Sequence, residues 1–418
     1  MKEKRWIALS ALAYMLCLGM ALPIYAGSVV NTFMVVDLGW SRQILGLLVA
    51  VNMIVNGLLA PVGAMIVTRF GVRLALLAGA LLMALCSALL ATVVNQPWQA
   101  ILAFSIGLGV AANLTGIIAC QTGIAHWFRE DRTKALSILY AAMGVGGFAS
   151  VWAVTQAIEW AHSWRAGWGV FTVAALIGVA VTVLLVRDHA DEGLAGGGPQ
   201  PDLPFAPDAA SPASAHGPAT FAQALKAPFL WAVCGSMLAA TAGAAFLTAH
   251  VQVYLRDIGV SPAMAASAVS VFSLATLGGN LAVGAVSSRL APKAAYAASG
   301  ALFALSLLIL ANVSGDVTLY AYALIAGFAF GASQVGAMAV LGHYWNTRLF
   351  PALTAMGLLI QTAGGGIVPI LAGGYFDAHH SYLPVIMVLV TLNLVTALVL
   401  TLVRTPRGER RAEPAVSV

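Results

Sequence analysis

The stretch His250–Lys293 reads HVQVYLRDIGVSPAMAASAVSVFSLATLGGNLAVGAVSSRLAPK. It runs from the end of one apolar segment through a short polar loop, Arg256 to Ser261, and along a second apolar segment to Arg289. Its loop, Asp257-Ile-Gly-Val-Ser261, has an earlier counterpart in Asp37-Leu-Gly-Trp-Ser41, and 32 positions separate Asp37 from Arg69 just as they separate Asp257 from Arg289. A second pair is His126-Trp127-Phe128 with Ala135-Leu136-Ser137, matched by His343-Tyr344-Trp345 with Ala352-Leu353-Thr354. The two offsets are 220 and 217 residues, about half the chain, so the sequence is two copies of one unit. His250–Lys293 is then the second copy of the first helix–loop–helix, and a ligand site is expected between the halves.

Composition sets the solvent of that unit. The 418 residues are 61% hydrophobic and 8% charged, with mean hydropathy +0.91. Soluble domains carry about 25% charged residues. Apolar runs of this length exceed the ~20 residues needed to cross about 30 Å of hydrocarbon as a helix. Barrel strands would show short alternating segments instead. The expected fold class is an all-α membrane protein with twelve transmembrane helices.

After the basic start Met1–Arg5, an apolar run from Trp6 to Val30 is interrupted by Pro23 and Gly27. A signal peptide is the alternative reading of this run, with Ala26 as a poor cleavage residue; the run is long for that, and the repeat needs it as partner of Phe229–Tyr254. Further spans are expected at 44–67, 73–94, 97–124, 135–158 and 165–186. Residues 187–226 are rich in Pro, Ala, Ser and Gly and read as a solvated linker, ending in a short interfacial helix near Phe221–Lys226. Six more spans follow, at 228–254, 262–286, 293–313, 316–341, 351–375 and 382–404. The domains are therefore an N-terminal six-helix bundle (1–186), a cytoplasmic linker (187–226) and a C-terminal six-helix bundle with a short tail (227–418).

With both termini cytoplasmic, seventeen of the twenty Lys and Arg fall on inner segments, and only Arg42, Arg165 and Arg256 fall on outer loops. The surplus of positive charge thus serves topology and anionic lipid, not nucleic acid. The fifteen acidic residues also fall in tails, loops or span ends. Cys17, Cys86, Cys120 and Cys234 lie inside spans at no metal or disulfide spacing. No carboxylate pair, metal cluster or nucleophile–base set lies within the spans, so neither an enzyme nor a metal or other cofactor is expected.

Pro61-Val-Gly-Ala64-Met-Ile-Val-Thr68-Arg69-Phe70-Gly71-Val-Arg73 resembles the Gly-x-x-x-Asp-Arg-x-Gly-x-Arg loop of the major facilitator superfamily, with Ala64 for Gly and Thr68 for Asp. The second-half copy is weaker, Gly284…Ser288-Arg289. The resemblance implies two pseudo-symmetric bundles and a conformational latch at Arg69, Gly71, Arg73 and Arg289, weakened by the missing Asp. Within the superfamily, Leu38-Gly39-Trp40-Ser41-Arg42, Trp127-Phe128…Arg132…Ala135-Leu136…Gly144-Val-Gly146 and His250…Tyr254…Asp257-Ile-Gly259-Val-Ser261 resemble the branch of monocarboxylate transporters and oxalate–formate exchangers. That branch places a carboxylate-binding Arg in span 8; here Gly279-Asn280-Leu-Ala-Val-Gly284 has Asn280 in its place. Some members add a Lys in span 11, where this chain has Gln361 and Thr362, and relatives offer a Tyr in span 4 where this chain has Ile117.

The expected function is secondary transport of a small organic solute, monocarboxylate-like or related, by a monomer in the cell (inner) membrane. An exporter of drugs or metabolites, or a non-transporting sensor with the same fold, are the alternatives. Candidate solute-binding residues are Asn280, Gln361, Asn113, Tyr140, Tyr25, Asn31 and His250. Each has a second reading: Asn280 as an interhelical hydrogen bonder, the tyrosines as packing, His250 as a residue wet at the interface instead of a proton acceptor. His126 and His343 read as interfacial. Gln361 precedes Gly364-Gly365-Gly366 and Pro369, where the backbone is expected to open. Gly327…Gly331 and Gly144…Gly147 read as surfaces for close helix approach.

Overall fold

Bare backbone N–H and C=O groups are too costly in hydrocarbon, so each apolar run should close its own hydrogen bonds as helix. The computed structural model of the chain describes residues 2–128, 132–186, 220–286, 290–345 and 349–406, and among these the regular structure is helical throughout. We number the long helices α1 (Arg5–Asp37), α2 (two segments, Arg42–Leu58 and Ala60–Phe70), α3 (Val72–Thr92), α4 (Pro97–Ile124), α5 (Arg132–Ala161), α6 (Trp164–Leu185), α7 (Pro228–Asp257), α8 (Pro262–Val286), α9 (Pro292–Ala311), α10 (Asp316–Tyr344), α11 (Phe350–His379) and α12 (Leu383–Leu402). Eleven are each long and apolar enough to cross a membrane, and α2 makes the twelfth if its segments, bent by 47°, count as one.

The expected spans are in place, with three differences. α1 runs on through Pro23 and Gly27 to Asp37, because residues Cys17–Ala26 adopt wider π-helical turns. Proline lacks the N–H and crowds the preceding turn, and the wider turn absorbs both defects. α2 is not one straight run: it breaks at Leu59, two residues before Pro61. α11, by contrast, is unbroken from Phe350 to His379, so the backbone does not open at Gly364–Gly366 or Pro369. Those glycines instead seat side chains of neighbours, Leu238 on Gly364, Met53 on Gly365 and Ile54 on Gly366. The short helix before α7 is present as Phe221–Leu225, with Thr220 and Gln223 forming a reciprocal cap. Most of the linker, residues 187–219, lies outside the described residues, as do Arg289 and the His126 side chain.

The repeat is visible in the packing. α3 lies on α6 as α9 lies on α12, and α2 lies on α4 as α8 lies on α10. Two seams join the halves, α2 with α11 and α5 with α8. The glycine surfaces work as read: a side chain at Gly327 or Gly331 would strike the Phe272 or Thr276 carbonyl of α8, so α8 and α10 meet backbone to backbone. The turns repeat too. Gly39 and Gly259 both have φ near +65° to +90°, and a third pair, His162-Ser163-Trp164 and His380-Ser381-Tyr382, has left-handed histidines at φ 50° and 53°. Twelve crossings bring the start of α1 and the end of α12 to one face, called here the terminal face. The turns after α1, α5, α7 and α11 lie at the far face.

Candidate functional site

At the far face the two halves are hydrogen-bonded together. Ser41 caps α2 by accepting from the N–H of Ile44. The next two free N–H groups, of Arg42 and Gln43, donate to the two carboxylate oxygens of Asp377 on α11, each at 2.9 Å. A carboxylate at a helix N-terminus is stabilised by the dipole as well as by the bonds themselves. The Arg42 side chain donates to Asp257 at the end of α7, also at 2.9 Å, and lies over the Phe376 ring. Below this layer the helices touch through glycine: Gly373 faces the Arg42 carbonyl, and Gly46 faces the Pro369 carbonyl.

The Pro369 carbonyl also fixes His250. It lies 2.8 Å from Nε2, and Tyr382 lies 3.0 Å from Nδ1. A carbonyl only accepts, so Nε2 carries the proton, and the neutral ring takes the Tyr382 O–H at Nδ1. Burial pushes the Tyr382 phenol well up from its usual range, which keeps it a donor. His250 is fully buried. It is neither wet at the interface nor open to a solute in this state.

The second seam is plainer. Ser273 on α8 donates to the Gly144 carbonyl on α5 at 3.0 Å, and Gly147 receives Ser273 and Tyr25. Tyr25 packs against Phe272 and interacts with Ser273 and Thr276, so it links α1 to α8. The repeat places Glu159 of α5 where α11 has Asp377, opposite the start of α8. Glu159 is exposed and makes no hydrogen bond among the described residues, and of the two N–H groups that the repeat would set before it, the one at Pro262 is missing and that of Ala263 remains.

The remaining candidates separate by height. Asn280, Gln361 and Tyr140 are half-buried in the terminal-side parts of α8, α11 and α5. Asn280 and Gln361 make no side-chain hydrogen bond among the described residues, while Tyr140 accepts from Gln121 of α4. Asn113 donates to the Asn56 carbonyl at 3.0 Å, just before the break in α2, with its oxygen against Gly63. Asn31 is fully buried with neither amide atom partnered, and Ser28, one turn earlier, is buried and unpartnered as well. Of the latch residues, Gly71 takes φ 88° to end α2, Arg73 donates to the Val183 carbonyl of α6 in its own half, and Arg69 is exposed over Phe70. His343 is exposed beside Tyr344.

The sequence reading passed over Asp377, Gln121, Tyr382 and Ser28, and noted Arg42 and Asp257 only as a loop cation and a repeat marker. The signal available was the His162-Ser163-Trp164 and His380-Ser381-Tyr382 pair, which marks the far-face turns as matched. Chemically, the arrangement offers amide and hydroxyl donors within the halves and, between them, charge at the far-face closure. All four cysteines are free. No group of three His, Cys, Asp or Glu suited to a metal occurs among the described residues.

This architecture matches known proteins. Rat Monocarboxylate transporter 13 is 24% identical over 330 residues, 77% of this chain and 71% of that protein. In three dimensions, the D-xylose-proton symporter superposes with TM-score 0.69 over 96% of this chain and 98% of its own, at 16% identity. A mutant of the nucleoside transporter NupG does so with TM-score 0.73 over 94% and 99%, at 13% identity. The profile of the Major Facilitator Superfamily matches twice, over residues 7–255 and 232–417, in keeping with the two seams and the paired turns. With its twelve crossings in two repeated bundles, the chain is a membrane solute transporter of the Major Facilitator Superfamily, with monocarboxylate-transporter-like sequence.

Proposed function

We propose that the protein moves a small organic solute by alternating access, with residues 1–186 and 227–418 rocking against each other as two bundles linked by 187–226. The observation that carries this is the placement of the cross-half bonds. Asp377 with Arg42 and Gln43, and Arg42 with Asp257, all lie at the far face. The second segment of α2, on the terminal side, packs on α3 and α4 of its own half. This is the pattern of a state shut at one end. In the opposite state Arg69, Gly71, Arg73 and Arg289 would hold the terminal face.

The charge distribution supports a cytoplasmic terminal face, an inner-membrane location and an outer far face. The protein works as a monomer without cofactor or nucleic acid, on solute and lipid alone. Its substrate is a neutral or zwitterionic solute, or an acid taken in protonated form. Asn280, Gln361, Asn113 and Tyr140 can hydrogen-bond a carboxylate but cannot neutralise it. Tyr25, Asn31 and His250 would meet the solute only when the far face opens.

The test is counterflow in proteoliposomes against a panel of mono- and dicarboxylates, neutral analogues and amino acids. Trans-stimulated exchange without ATP is expected for at least one neutral or protonated solute. Exchange confined to fully ionised acids would overturn the substrate reading, and folded protein with no exchange of any kind would favour a sensor.

A further inference from the structure

Two guanidinium groups, one from each half, lie within electrostatic reach of each other at the far face. Arg42 opens α2 and Arg256 closes α7. Each lies over a phenyl ring, Arg42 5.4 Å from the Phe376 centroid and Arg256 4.8 Å from that of Phe33. A ring face attracts the cation but gives no acceptor to the N–H groups in the guanidinium plane. On both arginines the η1 nitrogen is shut off from solvent and has no hydrogen-bond partner.

The nearby carboxylates do not make up the deficit. Asp377 has both oxygens on the backbone of Arg42 and Gln43. Asp37 accepts from the indole of Trp164. Asp257 lies within electrostatic reach of both arginines and is bonded to Arg42. Two half-buried cations thus share one carboxylate, and each keeps one buried donor without a partner. Buried donors of this kind ordinarily have a partner, which is water or a bound ion where the protein supplies none.

We propose that Arg42 and Arg256 form a site for a small monovalent anion, chloride or a carboxylate, held between the two halves at the far face. Since one arginine belongs to each half, the anion is held most tightly when that face is shut, and its binding favours the shut form. This is separate from the solute path, where Asn280 replaces a cation, and it stands or falls independently of what is transported.

The experiment uses the full-length protein in detergent. Chloride and acetate are titrated separately at constant ionic strength, with the bulky sulfonate of MES as the balancing anion. Two readouts are taken: the melting temperature, and the rate at which a cysteine in Ser28→Cys, beneath the closure, reacts with an impermeant maleimide. A saturable rise in melting temperature is expected, with labelling slowed by about fivefold or more, the low end of ordinary coupling between sites. Arg256→Gln should lose both responses, and Arg256→Lys, which keeps the charge, should retain the thermal one and thereby control for folding. Response to chloride and acetate alike identifies a charge-selective site; response to acetate alone identifies a site using the planar fork. Equal responses in wild type and Arg256→Gln, or no response in wild type to either anion, would overturn the proposal.

Discussion

The backbone N–H of Arg42 donates to the carboxylate of Asp377 at 2.9 Å, so the first turn of α2 is capped by a residue from the other half of the chain. A cap normally belongs to the helix it closes. Here it is also a bond between the two halves, so the free energy of capping becomes part of the free energy that holds them together at this face.

Asp377→Ala should therefore shift the protein toward the form open at the far face. Losing a cap costs about 0.5–2 kcal/mol, and 1–2 kcal/mol is a factor of roughly 5–30 in a two-state ratio. The rate of maleimide labelling of Ser28→Cys should rise by a similar factor. An unchanged rate would mean that the Asp377 bonds do not hold the face shut.

His250→Leu should lower stability without opening the face to the same degree. Both its ring nitrogens are bonded, to Pro369 and Tyr382, and all three residues lie in the second half. The leucine leaves the buried Tyr382 phenol unpaired, at about 1–3 kcal/mol, while the Pro369 carbonyl keeps its own bond within α11. Thermal unfolding in detergent should show the loss; a melting temperature equal to wild type would contradict the bonding described.

Asn280→Arg should raise affinity for lactate-sized acids in their ionised form. A bare carboxylate moved into a dry site loses several kcal/mol of hydration unless a cation or several donors replace the water. In the wild type, binding should strengthen as pH falls through the acid's own pKa, because the protonated acid is the form accepted. In the variant that dependence should flatten or reverse. Tight wild-type binding of a fully ionised acid would show that the site neutralises charge by another route.

Topology is open to a direct check. An impermeant thiol reagent added to intact cells should reach a cysteine at Val317, which is 84% exposed at the far face, and miss one at Thr405, beyond α12. Labelling of position 405 from outside would invert the orientation.

The twelve crossings and their duplication were legible because hydropathy and turn chemistry are local. A run of apolar residues must be helix in lipid, and Asp37-Leu-Gly39 repeats in Asp257-Ile-Gly259 because both turns need a glycine at positive φ. The closure was not legible. Arg42 and Asp377 are 335 positions apart, and a carboxylate near a span end carries no mark of the helix it will cap. Asn113 was read as a cavity donor, and one of its amide hydrogens goes to the Asn56 carbonyl, a partner the sequence did not mark. Helix ends leave carbonyls without intrahelical donors, and the break in α2 creates such an end beside it. Pro23 and Pro369 misled in the opposite direction, since a helix can widen or be packed around a proline without parting.

Duplication would ordinarily furnish two locks at the far face, one on each seam. Here the second is weaker at best: Pro262 at the start of α8 has no N–H to offer, Ala263 is left as the one counterpart donor, and Glu159 opposite makes no hydrogen bond among the described residues. In the alternating access proposed above, the seam of α5 and α8, held by the one Ser273 bond to the Gly144 carbonyl, would part before that of α2 and α11. Under that arrangement the bundles would swing apart as a door does, about one fastened edge, and the width of the opening would be set by how far the other edge travels before Asp377 lets go.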